Sequence, residues 1–356
     1  MKIGILTFHW ATNYGAILQC YALQTYLELL GHEVYVINYK PKIYDIKIFN
    51  VLRPRNLCHS FDYLRNYSKE HQLKHFRNSY LHLTKRIFSE EDFNSLGVFD
   101  IVFSGSDQVL NPSFTLIGEG KPCSAYYLNK IKSKYKFGYA VSFGCKVYPK
   151  DAIIYAKQWI NSFDSISVRE ETGLAILESL SFHGGKQLVP DPTLLLGASL
   201  FDKVPVTSFC EKFIYVYLLH GKTLPSCLQN VLQAKIVIAE EDGKFSMENW
   251  LGRIKCSNIL ITNSYHGMIM SILFHVPFVV ILNEGALSGM NDRFYSLLDY
   301  LELSYRIVNE IDNKQIQNVI ETDIDWKNVD AKLEEFSKIG KNYLNNCLSY
   351  ESIMAK

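Results

Sequence analysis

Short apolar runs alternate with helix-period segments along almost the whole chain, and this alternation constrains the fold more than any other feature. Strands joined through helices run parallel, and a succession of such units gives a mostly parallel sheet covered by helices. The fold class is therefore α/β. Lys2–Phe8 reads as a first strand, Ala16–Leu30 as a helix stopped at Gly31, and Glu33–Tyr39 as the next strand. An irregular helix is expected over Phe61–Tyr80, then strands over Asp100–Ser104, Lys136–Val141 and Asp164–Val168. A second series follows, with strands over Phe213–Leu218, Lys235–Ala239, Asn258–Thr262 and Pro277–Leu282. Its helices fall around Leu224–Gln233, Met247–Ile254 and Ser264–Phe274, and no sequence repeat of fixed period accompanies the repeated architecture.

At 356 residues the chain exceeds one ordinary domain of roughly 150 residues, so two are expected. Pro190-Asp191-Pro192-Thr193 breaks regular structure and marks the crossing, which gives domains 1–195 and 196–330. Asp330–Leu348 reads as an amphipathic helix that opens the closing segment 331–356 and is able to cross back to the first domain. A hydrophobic fraction of 48% and 13% aromatics supply enough apolar surface for packed cores, which excludes disorder. A net charge of only +1 provides no general field for nucleic acid. Charge is uneven, however: Lys40–Arg86 holds 11 Lys or Arg against 3 acids, and Asp299–Glu335 holds 10 acids against 4 bases. The eight cysteines form no C-x-x-C pair and are expected to be reduced. Met1–Thr7 starts a strand without the marks of a signal peptide, and Met268–Leu282, interrupted by His275 and Pro277, is short of the roughly 18–20 residues of a membrane span. A cytoplasmic protein is expected.

Ligands of open α/β sheets bind beyond the carboxyl ends of the strands, and four segments qualify there. After the first strand, His9 offers a titratable ring, Asn13 an amide that either meets a ligand or caps the helix, and Gly15 a tight turn. Ser104-Gly105-Ser106-Asp107-Gln108 offers hydroxyl, carboxylate and amide groups to a sugar, or else a simple cap. Arg169 can grip an anion through two parallel hydrogen bonds or pair with Glu170 or Glu171 at the surface. Asn263-Ser264-Tyr265-His266-Gly267 places Ser264 as a helix N-cap and His266 in the first turn, where backbone N–H groups attract anions. Neither G-x-G-x-x-G nor a Walker motif occurs, and Gly118–Lys121 and Gly184-Gly185-Lys186 read as turns. His71 and His75 stand i, i+4 without the acidic partner of a metal motif.

Taken in order, these segments resemble the polysaccharide pyruvyl transferase family. The resemblance rests on Gly4–Thr7 with Asn13-Tyr14-Gly15-Ala16 and Leu18-Gln19, then Gly105–Pro112 and Ser167-Val168-Arg169-Glu170. It continues through Asp191-Pro192-Thr193, Ser264-Tyr265-His266-Gly267 and Asn291-Asp292-Arg293-Phe294. The family commonly has Phe and Trp where this chain has Tyr265 and Leu110. The resemblance implies two Rossmann-like lobes in a GT-B-like arrangement with an interlobe cleft, the first lobe on the acceptor side and the second on the donor side. It implies phosphoenolpyruvate as donor substrate, no cofactor or metal, and a glycan or lipid-linked saccharide as acceptor. Donor binding then falls to Arg169, Ser264, His266, Gly267 and Arg293, and acceptor binding to His9, Asn13, Gly15, Ser106, Asp107 and Gln108. His266, Asp107 and Arg169 are the expected catalytic residues. The basic Lys40–Arg86 stretch is either a contact for the membrane surface or a solvated face. Two other readings are a nucleotide-sugar glycosyltransferase of the same shape and a non-catalytic glycan-binding homologue.

Overall fold

The computed structural model describes residues 1–45, 60–224, 235–308 and 313–350, with side chains of 60–62, 286, 313 and 314 left aside. The chain divides into two compact units: 1–47, 77–196 and 335–356 form one, and 48–76 with 197–334 form the other. Residues 225–233 of the expected helix Leu224–Gln233 lie outside the described residues.

The first unit is built on six parallel strands in the order β2-β1-β3-β4-β5-β6. These are β1 (Lys2–Leu6), β2 (Glu33–Val36), β3 (Phe99–Asp107), β4 (Ser133–Val141), β5 (Ser165–Val168) and β6 (Gly185–Leu188). Helix α1 (Tyr14–Leu29) is buried on every side along most of its length, which is why its sequence is apolar all round. α2 (Ser60–Tyr80) belongs to the second unit up to Phe76, and α3 (Pro112–Ile117), α4 (Lys150–Ile160) and α5 (Glu171–Ser179) follow in the first. The inner strands read as apolar runs because helices cover both faces: Ile3, Ile5, Val102, Phe103, Phe137 and Ile166 are all buried. β6 corrects the reading of Gly184–Lys186 as a turn. It pairs with β5 from Ser165↔Gly185 to Val168↔Leu188 as an exposed edge strand, so its sequence Gly-Lys-Gln-Leu carries no apolar run.

The second unit has five parallel strands in the order β11-β10-β9-β7-β8. They are β7 (Ile214–Tyr217), β8 (Ile236–Ile238), β9 (Ile259–Thr262), β10 (Phe278–Ile281) and β11 (Ile307–Val308). The helices are α6 (Met247–Cys256), α7 (Tyr265–Leu273), α8 (Asp292–Tyr300), α9 (Asn313–Glu321) and α10 (Trp326–Leu348). β11, with two residues, is too short to leave a sequence signal.

Domain membership departs from the sequence reading at 48–76, which belongs to the second unit. Within its described part, buried Lys69 on α2 pairs with Glu240, Gln72 donates to the Gly243 carbonyl (3.3 Å) and the Phe245 N–H donates to Gln72 Oε1 (2.9 Å). Part of the basic stretch is therefore neutralised by Glu240 rather than left to solvent. α10 divides between the units. Its start meets the second, where His275 Nε2 lies 2.8 Å from Asp330 and the His275 ring stacks on Trp326. Its later turns meet the first, where the Tyr343 hydroxyl donates to the Gly138 carbonyl at 2.9 Å. No helix among the described residues is long and apolar enough to cross a membrane.

The segment entering the second unit crosses α6 at Gly252, where an added Cβ would stand 2.0 Å from the Thr207 carbonyl oxygen. Gly252→Ala is expected to destabilise the second unit by about 1–3 kcal/mol or more, as overpacking against backbone does. Denaturant unfolding of wild type and variant measures it.

Candidate functional site

The exits of the second sheet are tied together by three buried asparagines. Asn263, after β9, accepts from the Leu219 N–H after β7 (2.6 Å) and returns a bond to the Leu219 carbonyl (3.1 Å). The same amide donates to Asn283 Oδ1 after β10 (3.0 Å). Asn291 Oδ1 accepts from the Asn283 N–H (3.0 Å), and Asn291 Nδ2 donates back to the Asn283 carbonyl (2.8 Å). A loop amide that would otherwise be buried without a partner finds one in each case, so the ladder fixes three loops and the start of α8 in one geometry.

On this frame stand the cationic and titratable groups. Ser264 caps α7 by accepting from the Gly267 N–H (3.2 Å), as its position in the sequence suggests. His266 follows in the first turn, and Gly267 packs against Thr262 and Tyr217. The Tyr265 ring lies edge-on to His266 (5.5 Å) and to Phe294 (5.9 Å), and the Arg293 guanidinium stands 5.2 Å from its centroid. Tyr265 thus joins the histidine of α7 to the arginine of α8. Exposed His220, in the loop after β7, has its pKa lowered by partial burial and by the charge of Arg293. Lys222 is held by the Leu282 carbonyl (2.6 Å) and Glu284 (2.7 Å). His266, His220 and Arg293, beyond the carboxyl ends of β9, β7 and β10 and beside a capped helix start, suit a small multiply charged anion. Sequence reading did not single out His220 or Asn283, and it quoted Asn263 and Asn291 within motifs without giving them this bridging role; Asn263 alone directly follows its strand.

The first unit places its expected site residues differently. β3 runs on to Asp107, so Ser104, Gly105 and Ser106 are strand rather than loop. Gly105 is obligatory: its φ is +118°, and a Cβ there would stand 2.4 Å from the Tyr139 carbonyl oxygen. Ser106, expected to meet an acceptor, is fully buried; its N–H donates to Gln19 and its hydroxyl to the Ala140 carbonyl. Asp107 remains partly exposed, and Gln108 accepts from Asn111 (2.9 Å). Arg169, expected to grip a donor, has a side chain of 0% exposure that donates to the equally buried Asp191 at 2.9 Å. It lies 3.6 Å from Asp107 and 3.9 Å from Glu170. Its charge is met inside the lobe, closest by Asp191 and farther off by Glu170, so the expected pair with Glu170 is buried rather than at the surface. Asp191 also caps the turn that follows it by accepting from the Thr193 N–H (3.0 Å).

Asn13 caps α1, accepting from the N–H groups of Gly15 (2.9 Å) and Ala16 (3.3 Å), and Gly15 lies inside the helix instead of forming a turn. His9 is buried, with Nδ1 3.2 Å from the Thr7 carbonyl and Nε2 3.2 Å from the Asn38 side chain. Burial outweighs these contacts and pushes its pKa down to about 4. Among the described residues no three His, Cys, Asp or Glu side chains group as metal ligands.

A polysaccharide pyruvyl transferase family model matches residues 13–285, most of the chain. The chain belongs to the polysaccharide pyruvyl transferase family. No curated protein matches this family member in sequence. Among solved structures it is similar to the UDP-GlcNAc 2-epimerase of Methanocaldococcus jannaschii, with TM-score 0.52 and 9% identity over 98% of this chain and 100% of that one. It is also similar to a putative UDP-N-acetylglucosamine 2-epimerase of Listeria monocytogenes, with TM-score 0.51 and 9% identity over 98% and 96% of the two chains. At these identities the likeness concerns fold alone, and with the two parallel-sheet lobes it gives this transferase family member a GT-B-like α/β fold.

His9 generates a pH prediction. Its folded-state pKa of about 4 lies below the ordinary 6.5, so between these values the unfolded chain binds a proton that the folded chain refuses. Its contribution is fully present above pH 6.5 and falls by about 3 kcal/mol as pH drops to 4. His9→Gln removes this component, and urea melts of the two proteins from pH 7 to 4 measure the difference in slope.

Proposed function

We propose that the protein moves a pyruvyl group from phosphoenolpyruvate to hydroxyls of a cell-surface glycan or its lipid-linked precursor, forming a pyruvate ketal. The observation that carries this reading is the gathering of Arg293, His266 and His220 at the strand exits of the second lobe, in a chain of this family. Phosphoenolpyruvate carries a phosphate and a carboxylate on three carbons. Arg293 takes one anionic group through its planar fork, while His220 and the capped start of α7 favour the other.

His266 is assigned as the acid that protonates the terminal methylene carbon of the donor. Positive charge then develops at the central carbon, which a sugar hydroxyl attacks as its proton passes to a base. Asp107, the partly exposed carboxylate of the first lobe, is the candidate base. A second hydroxyl attacks the same carbon, the bond to phosphate oxygen breaks, and the second hydroxyl's proton leaves with inorganic phosphate or to base. The net reaction is phosphoenolpyruvate plus a diol to a cyclic ketal plus phosphate. Arg169 is reassigned from donor binding to positioning, because its guanidinium is buried and bound to Asp191 while standing beside Asp107. Of the acceptor residues, Asp107 and Gln108 are kept for direct contact, and His9, Asn13, Gly15 and Ser106 for holding the surrounding backbone. Phosphoenolpyruvate is a cytoplasmic metabolite, so the reaction is placed there, at the inner membrane face where the acceptor is lipid-linked. Neither a cofactor nor a metal has a part in this scheme.

Phosphate release from phosphoenolpyruvate with candidate lipid-linked glycans tests the reading. Release that depends on both substrates is expected, and His266→Ala should lower it by about 10²–10⁴ while the far-ultraviolet circular dichroism stays unchanged. The same fold serves UDP-GlcNAc 2-epimerases, so UDP-GlcNAc is the control arm. Turnover of a nucleotide sugar without phosphoenolpyruvate would replace this function with a glycosyl or epimerase reaction.

A further inference from the structure

The amino-terminal end of the second sheet carries a pocket that the proposed reaction does not use. Phe213 and Lys235 stand directly before β7 and β8, at the end of the sheet opposite the exits held by Asn263 and Asn283. The segment that passes close over Gly252 continues through Phe209, Cys210 and Glu211, and these residues with Arg253 of α6 line a cavity of about 350 Å³. Small-molecule sites start at about this size.

Its walls combine two chemistries. The Phe209 and Phe213 rings meet edge to face with centroids 6.0 Å apart, and the Arg253 guanidinium carbon lies 5.3 Å from the centre of Phe209. Arg253 has a side chain only 10% exposed, and one Nη pairs with Asp242. Its Nε has no hydrogen-bond acceptor among the described residues, an unusual state for a buried guanidinium. Lys235, at the rim, pairs with Glu211; both side chains are more than half exposed, and such a pair exchanges readily for another anion. A flat apolar ring satisfies the phenylalanines, and an acidic substituent satisfies the buried arginine and the exposed lysine.

We infer that this pocket is a second small-molecule site, for a single-ring aromatic anion such as an aryl phosphate or aryl carboxylate, separate from the donor site. Cys210, exposed on its lining, reports occupancy.

The test uses the full-length protein with phenyl phosphate as probe. Saturation-transfer NMR gives its Kd, and peptide mapping follows alkylation of Cys210 by iodoacetamide. At ten times that Kd, phenyl phosphate is expected to slow alkylation about tenfold. Inorganic phosphate, benzyl alcohol and phosphoenolpyruvate at the same concentration leave it unchanged. Phe209→Leu and Lys235→Gln, both at partly or fully exposed side chains, raise the Kd several-fold without altering phosphate release. Absence of a saturation-transfer signal, equal protection by inorganic phosphate or benzyl alcohol, or unchanged affinity in both variants would overturn the site. Should Cys210 fail to react in the free protein, the two variants decide by NMR alone. Protection by phosphoenolpyruvate would instead merge this pocket with the donor site, which also ends the inference.

Discussion

The asparagine ladder of the second lobe is the interaction on which the proposed donor site depends. Parallel strands end in loops whose backbone groups have lost their ladder partners, and a buried loop amide left unpaired costs about 1–3 kcal/mol. Asn263 meets that demand for the loop after β7 and passes a hydrogen bond to Asn283, which is bound in turn by Asn291. The chain therefore reaches α8 with Arg293 two residues beyond the last rung, on the side where Tyr265 can carry its charge beside His266. Without the ladder Arg293, His266 and His220 would belong to independent loops, and a ligand bound by them would have to order them as it bound.

The first lobe solves a different problem. A wholly buried guanidinium demands carboxylates, and Arg169 has Asp191 at 2.9 Å with Asp107 and Glu170 farther off. Asp191 at once caps the turn after β6 and holds Arg169, so the edge of the sheet and the end of β3 are fixed by one ionic cluster. Such a cluster gives little net stability when its desolvation cost is counted, but loss of one member leaves a buried charge uncompensated. Its value lies in setting where Asp107 stands. Ser106 contributes in the same way, through hydrogen bonds to the Gln19 side chain and the Ala140 carbonyl.

How legible this was in the sequence follows from what each residue does. β1, β4, β5, β9 and β10 were readable because strands covered on both faces must be apolar runs. β6 was not, because an exposed edge strand needs no such run, and Gly185-Lys186 looked like a turn. The cap at Ser264 and the exit position of His266 could be read because strand, cap and helix are adjacent in sequence. The roles of Arg169 and Ser106 could not, since burial depends on Asp191 and Ala140, each more than 20 residues away. The same holds for Lys69, whose partner Glu240 is 171 residues distant and draws 48–76 into the second unit. Family resemblance supplied the order of the motifs, while partner identity came only from the fold.

The central claim is that the second lobe's strand exits form the site for a small, doubly anionic donor. Calorimetric titration of phosphoenolpyruvate into the wild-type protein and Arg293→Met tests it most directly. A loss of at least about tenfold in affinity is expected, the usual scale for removing a charged hydrogen-bonding partner. Equal affinity in the two proteins, with both folded, would contradict the account.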